Sequence, residues 1–146
     1  MPTSTTSAGE GRTLCPSAQP AMQGSMILGI VQGTVEQPRM THLAHPKPVS
    51  AELLAMTAPV SPTEVFRFTA PCAGTGCQHF DGSNCRLARR IVKMQDPVTE
   101  TLPICRIRPH CRWWQQEGRA ACKRCPGIVT EVVFPDVKTY QMAVPD

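Results

Sequence analysis

Apolar and polar residues alternate in short runs along the first half of the chain. The apolar run that begins at Met26 turns near Gly33 and returns as far as Leu43, so it predicts a short β-hairpin. The His45-Pro-Lys-Pro segment that follows is expected to end the second strand, because proline donates no hydrogen bond to a β-ladder.

Two further elements are predicted before the cysteine-rich part of the chain. Ser50 is a residue type that caps helix N-termini, and it precedes a short predicted helix over residues 51–56. Beyond a turn at 61–64, Val65-Phe-Arg-Phe alternates with a period of two and predicts a strand that leads to Cys72.

The second half of the chain carries helical patterns. After Cys85, apolar residues share one face at helical spacing and basic residues share the other, which predicts an amphipathic helix over 86–94. Pro109 and Gly118 are the residue types expected at the start and end of a second short helix. The β-branched segment 128–134 predicts a final strand. The basic residues of the first helix are Arg86, Arg89, Arg90 and Lys93.

Composition predicts a small core and an unstructured N-terminus. The 146 residues include 15 prolines, 10 glycines and only seven aromatic residues, so little apolar area is available for burial. Residues 1–25 are rich in small polar residues and are predicted to be a disordered extension, in which Cys15 is an isolated bystander. Residues 26–70 are expected to form a β-rich lead-in segment, and residues 71–146 a cysteine-rich metal-binding module.

Eight cysteines are the strongest chemical signal, and seven of them lie between Cys72 and Cys125. They divide into a first set with the spacing C-x4-C-x7-C and a second set with the spacing C-x5-C-x10-C-x2-C. With a histidine inside the first set they supply eight soft ligands, which is enough for two four-ligand metal sites. The first set is Cys72, Cys77, His79 and Cys85, and the second set is Cys105, Cys111, Cys122 and Cys125.

The spacing leaves the identity of the metal open. The wide gaps of the second set and its Cys125-Pro126 ending are typical of iron–sulfur loops, which favours [4Fe–4S] clusters. Two zinc ions are the alternative, because structural zinc is commonly held by four thiolates or by three thiolates and one imidazole. A dithiol redox centre or disulfides are a third alternative. His79 is either a ligand or only a hydrogen-bonding turn residue, and His110 beside Cys111 is a weaker candidate.

Positive charge is concentrated among the cysteines. Between Arg86 and Arg124 there are ten Lys and Arg against three Asp and Glu, a net +7, although the whole chain carries only +4. This charge either compensates a negative metal–thiolate centre or forms a surface for nucleic acid or an acidic protein. In a third interpretation, the basic face of the helix is exposed to solvent and has no binding role.

Neither an enzyme nor a secreted protein is indicated. The chain lacks a phosphate-binding loop, a nucleophile elbow and an evident acid/base pair, so activity in isolation is not expected. The apolar run 26–31 is too short for a signal-peptide core or a membrane span. These observations favour a cytoplasmic, reducing location without a membrane partner.

A set of short segments from Met26 onward carries a resemblance. It includes Thr63-Glu-Val-Phe-Arg-Phe, Cys72-x4-Cys-x-His-Phe, Cys85-Arg-Leu-Ala, Ile104-Cys-Arg-Ile-Arg and Ala121-Cys-x2-Cys-Pro. In these segments the chain resembles a group of small bacterial cysteine-rich proteins that are sometimes labelled nitrogen-fixation-related. The resemblance implies the same metal-ligand candidates and fits an iron–sulfur protein, and it implies no reaction.

The sequence therefore predicts a small metal-stapled α+β protein, with a hairpin and strands ahead of a loop-rich cysteine module that holds two short helices. The expected function is electron transfer, or an accessory role beside a redox or maturation protein partner, with iron–sulfur clusters as cofactors. The alternative is a zinc-stapled binding module whose basic face docks on nucleic acid or an acidic protein.

Overall fold

Four antiparallel strands form the sheet at the centre of the structure. The computed structural model describes residues 13–34 and 36–130 of the chain. The strands are β1 (Leu14–Ala18), β2 (Met26–Gly33), β3 (Pro38–Pro48) and β4 (Phe66–Pro71). They lie in the order β1-β4-β2-β3, and every neighbouring pair is antiparallel.

Short helices connect and follow the strands. Two of them lie between β3 and β4, and three lie in the cysteine-rich part of the described chain. They are α1 (Ala51–Ala55), α2 (Pro62–Val65), α3 (Arg86–Met94), α4 (Arg112–Glu117) and α5 (Arg119–Cys122). The small α+β class predicted from the sequence is confirmed, whereas the stapling of this fold by metal stays a prediction.

β2 and β3 form the predicted hairpin, but β3 is longer than predicted. It continues through His45-Pro-Lys-Pro, and Met26 lies opposite Pro48 in the ladder. The prediction that this segment ends the strand is wrong. β3 is an edge strand, where a missing proline N–H on the outer side costs no ladder hydrogen bond.

The N-terminal segment joins the sheet, contrary to the sequence prediction. Residues 1–12 lie outside the described residues, but Leu14–Ala18 form β1 and pair with β4. Leu14 is only 1% exposed, and the Cys72 N–H donates to the Thr13 carbonyl at 2.8 Å. The predicted disorder is therefore wrong for this strand, because every second residue of β1 is buried against the rest of the protein.

Apolar side chains cover both faces of the sheet. Ile27 and Leu28 are successive residues of β2 and so point to opposite faces. Leu28 belongs to the core that includes Ile91 of α3 and Trp113 of α4, whereas Ile27 packs with Phe68 and with residues of α1. Burial of each such large apolar side chain contributes roughly 1.5–3 kcal/mol. The sheet is thus a platform with the cysteine-rich helices on one face.

The two predicted helices of the cysteine-rich part are present with altered ends. α3 spans residues 86–94 as predicted. The second helix begins as a 3₁₀ turn at Arg108–His110, breaks at Cys111, where the backbone is extended, and resumes as α4. Gly118, with a φ of +67°, separates α4 from α5 in a conformation that other residues rarely adopt.

The C-terminal strand prediction falls largely beyond the described part of the chain. Of the segment 128–134, the structure describes only 128–130, and these three residues form no strand. Within the described ranges, none of the helices has both the length and the apolar character needed to cross a membrane.

Candidate metal centre

All four cysteines of the second set line one cavity between the sheet and the helices. The space between its walls amounts to about 330 Å³, including the part that is open to solvent. Cys111 is the N-cap of α4, Cys122 ends α5, and Cys125 opens the 3₁₀ turn Cys125–Gly127. Cys105 completes the wall from the segment ahead of α4. Several short elements therefore bring four thiols to one place.

Some residues of the cavity wall carry no signal in the sequence. His42 of β3 lines the cavity, and the other residues of the cavity wall are distant from it in the sequence. Burial and the positive charges of Arg67 and Arg108 lower the pKa of His42 to about 4, so its imidazole is neutral at physiological pH. A neutral imidazole can hydrogen-bond a sulfur atom or bind a metal.

Arg67 of β4 is fully buried next to this cavity. Its guanidinium donates to the carbonyl oxygens of Pro16 at 2.7 Å, Cys125 at 2.6 Å and Ile128 at 2.8 Å, and to the Cys125 sulfur at 3.0 Å. Over the described residues it has no carboxylate within ion-pair distance. A buried cation is costly unless an anion compensates it, and a Cys125 thiolate is in position to do so.

The thiols of the second set act on one another electrostatically. Burial raises the pKa values of Cys105, Cys111 and Cys122, and the charge of Cys125 raises each of them further. The positive charge of Arg108 opposes this effect at Cys122. Such thiols keep their protons at neutral pH until a metal cation displaces them. These partly or fully buried thiols therefore differ from the low-pKa, exposed thiols of nucleophilic cysteines.

The cysteines of the first set follow β4 in a tight loop. Cys72 lies directly after the strand, and Cys77 lies directly after the 3₁₀ turn Gly74–Gly76. Cys85 is the N-cap of α3, where its sulfur accepts a backbone hydrogen bond. Asp81 accepts hydrogen bonds from two backbone N–H groups and so closes the turn that leads to Cys85.

Cys15 lies with this first set, although the sequence pattern had separated it. It pairs with Ala70 in the β1–β4 ladder, two residues before Cys72. Burial raises the pKa of Cys15 to about 12, and the charges of Cys85, Cys72 and Cys77 raise it as well. The prediction that Cys15 is isolated is therefore wrong, because β1 positions it near the three cysteines of the loop.

His79 lies in the same loop. Its backbone N–H donates to the Cys77 sulfur at 3.4 Å, and its ring Nδ1 is buried without a hydrogen-bond partner among the described residues. Burial lowers the pKa of His79, and the charges of Arg90 and Arg86 lower it further. The imidazole is therefore neutral, as a ligand must be, and its assignment as a ligand stays a prediction.

The basic side chains of α3 divide between the cysteine loop and solvent. Arg86 donates to two carbonyl oxygens of the loop at 3.4 Å each, and Arg86 and Arg90 both lower the pKa of the loop histidine. Arg89 forms an exposed ion pair with Asp81 at 3.5 Å, and Lys93 is exposed. Half of the predicted basic face is thus directed towards the first cysteine set.

The donor chemistry suits a soft metal. All eight cysteines are described by the structure, and each is a free thiol outside any disulfide. In residues 13–34 and 36–130, no three or more His, Cys, Asp or Glu side chains are arranged as an ion-binding group. The thiols within each set instead lie near enough to one another for their charges to interact. Thiolate donors suit iron–sulfur clusters or zinc, and not cations that prefer oxygen.

Comparisons with known proteins add no identification. No protein-family model, curated protein or solved structure matches this chain. The weaker histidine candidate, His110, is exposed beside Cys111. The cysteine sets and the charges around them are therefore the features that indicate a function.

Proposed function

We propose that this chain is a small iron–sulfur protein that transfers electrons or serves as an accessory to a larger redox or maturation enzyme. The observation that carries the proposal is the second set of cysteines, whose four thiols line one cavity next to a fully buried arginine. A [4Fe–4S] cluster takes four thiolate ligands, and its thiolate-ligated core is negatively charged. Such a cluster accounts for both the thiols and the buried positive charge.

Positive charge at the cysteine sulfurs supports the same function. Arg67 donates to the Cys125 sulfur at 3.0 Å, and the charge of Arg108 opposes the rise in the pKa of Cys122. Positive charge and hydrogen bonds at the sulfurs stabilise the reduced, more negative state of a cluster and so raise its reduction potential. Trp113, which is 2% exposed, gives the cavity an apolar wall.

The proposed electron transfer needs a partner protein. A bound cluster would supply one-electron chemistry, with the electron coming from a reduced donor protein and going to an oxidised acceptor, and no bond would form or break. Ile104, which is 90% exposed beside Cys105, offers an apolar contact close to the second set, and the neighbouring Arg106 is exposed. Exposed positive charge favours an acidic partner. We place this function in the cytoplasm, where thiols stay reduced.

A zinc-stapled binding module is the second candidate. Four thiolates hold structural zinc as readily as a cluster, so the cysteine sets support both candidates. The exposed Arg89 and Lys93 favour the second one, because they present positive charge to nucleic acid or to an acidic protein.

Metal and sulfide analysis separates the two candidates. Protein purified without oxygen is expected to be brown and to contain iron together with acid-labile sulfide, since thiolate-to-iron charge transfer absorbs broadly in the visible range. A colourless protein with stoichiometric zinc and no sulfide would replace the electron-transfer proposal with the binding module.

A further inference from the structure

We infer that Cys15 is the fourth ligand of the first metal centre, so that four thiolates hold each of two centres. This inference rests on the proposed metal-binding function and deepens it. It gives a role to a cysteine ahead of the segments that carry the sequence resemblance, and it leaves His79 near the centre without binding the metal.

The register of the sheet fixes Cys15 at the cysteine loop. Cys15 lies opposite Ala70 in the β1–β4 ladder, and directly opposed side chains of an antiparallel pair lie on the same face. Cys72 follows Ala70 by two residues and continues that face, since side chains alternate along a strand. The hydrogen bond from the Cys72 N–H to the Thr13 carbonyl, at 2.8 Å, extends the pairing as far as Cys72.

The loop is closed from the side of α3. Phe80 and Cys85 form an antiparallel bridge. The Gln116 side chain accepts from the Cys85 N–H at 2.7 Å and donates to the Cys85 carbonyl at 2.8 Å, which ties the start of α3 to α4. Besides burial, the charges of Cys85, Cys72 and Cys77 all contribute to the raised pKa of Cys15, so these three thiols lie near it.

The ladder register favours Cys15 over His79 as the fourth ligand. The β1–β4 pairing holds Cys15 beside Cys72, whereas His79 lies near the positive charges of Arg90 and Arg86. Four thiolates also repeat the donor set that lines the second cavity, and they are the usual ligands of a [4Fe–4S] cluster. Arg86 and Arg90 then compensate the negative charge of the first centre.

β1 also connects the two cysteine sets. Leu14, which precedes Cys15, forms a parallel bridge with Cys111 of the second set. Pro16, which follows Cys15, lines the second cavity. Cys15, the proposed ligand of the first centre, is therefore adjacent in sequence to Leu14, and Leu14 is bridged to Cys111 of the second set. Two clusters held by these ligands would lie close together, as a two-cluster electron carrier would require.

Two alanine variants of the full chain test the assignment. Cys15→Ala is expected to lose the metal of one centre, which is half of the total, whereas the matched variant His79→Ala keeps both centres. Full metal in Cys15→Ala, half of the metal in His79→Ala, or a single centre in the wild-type protein would each overturn the assignment.

Metal identity is read separately from metal content. Zinc in place of iron would therefore contradict the iron–sulfur proposal. The metal content of the two variants relative to the wild type would still decide whether Cys15 is a ligand. Detachment of β1 in Cys15→Ala would remove more than half of the metal, and circular dichroism detects that loss of structure.

Alkylation of the wild-type protein tests the assignment without a variant. In the metal-loaded wild type, iodoacetamide is expected to leave Cys15 unlabelled along with the other seven cysteines, and to label it after chelation. Labelling of Cys15 while the other seven stay protected would contradict its role as a ligand.

Discussion

Arg67 donates a hydrogen bond to the Cys125 sulfur at 3.0 Å while its other N–H groups bind three backbone carbonyls. A single buried side chain of β4 therefore holds β1, the Cys-Pro turn and Ile128 together. The rigid fork of the guanidinium makes this possible, because it directs several donors at once. The second cysteine set is thus organised by the sheet as well as by its own helices.

Arg67→Met is expected to destabilise the protein and to lower its metal content. The variant leaves three buried carbonyls and the Cys125 sulfur without their donor, and each buried acceptor left unsatisfied costs about 1–3 kcal/mol. Arg67→Lys keeps the charge without the fork, so we expect a smaller loss of stability. Chemical denaturation of the metal-loaded variants measures both effects. An Arg67→Met variant as stable as the wild type would show that the hydrogen bonds of Arg67 do not stabilise the protein.

Cys125→Ala is expected to remove the second centre and to spare the first. It deletes one of the four thiols of the cavity and leaves a metal with an open position. Metal content should fall by half, and His110→Ala is the matched control because His110 is exposed beside Cys111 and should bind no metal. Equal metal loss from both centres would mean that the two sets share ligands.

Removal of the metal is expected to change the environment of Trp113. This residue is 2% exposed in the helix that Cys111 caps, and it lines the cavity. If metal binding contributes to folding there, chelation loosens α4 and shifts tryptophan emission to longer wavelength. Trp114→Phe isolates the signal of Trp113. Unchanged emission after complete chelation would show that the apolar core alone maintains this region.

The exposed cations of α3 test the nucleic-acid alternative. The double variant Arg89→Glu, Lys93→Glu leaves Arg86 and Arg90 at the cysteine loop, and among the described residues it breaks one exposed ion pair, between Arg89 and Asp81. We expect no salt-sensitive binding of nucleic acid by the wild type and unchanged metal content in the variant. Binding that weakens steeply with salt, and that the variant reduces by roughly tenfold or more, would instead favour the binding module.

The elements with local causes could be predicted from the sequence. The spacing of apolar residues predicted α3, and Ser50 was recognised as the cap of α1, where its side chain accepts from the Leu53 N–H at 3.1 Å. β1 could not be predicted in this way, because a short strand of small residues is stabilised by β4, which is distant in the sequence. Because the sequence does not predict β1, it also does not place Cys15 with the first set of cysteines.

Arg67 shows a similar limit at the candidate site. The alternation of Phe66, Arg67 and Phe68 correctly indicated that the arginine lies on the face opposite the two phenylalanines. Alternation alone implies that such a polar face meets water. The cysteine-rich part covers this face instead, and that contact depends on tertiary packing which no local pattern contains. His42 was missed for the same reason.

Electron paramagnetic resonance of the wild-type protein, reduced without oxygen, tests the central claim most directly. A reduced [4Fe–4S] cluster carries an unpaired spin, and two clusters linked through Leu14 and Cys111 should broaden each other's signals. We predict this coupled signal, together with about eight iron atoms and about eight sulfides per chain. A protein that gives no signal and carries stoichiometric zinc would contradict the iron–sulfur function.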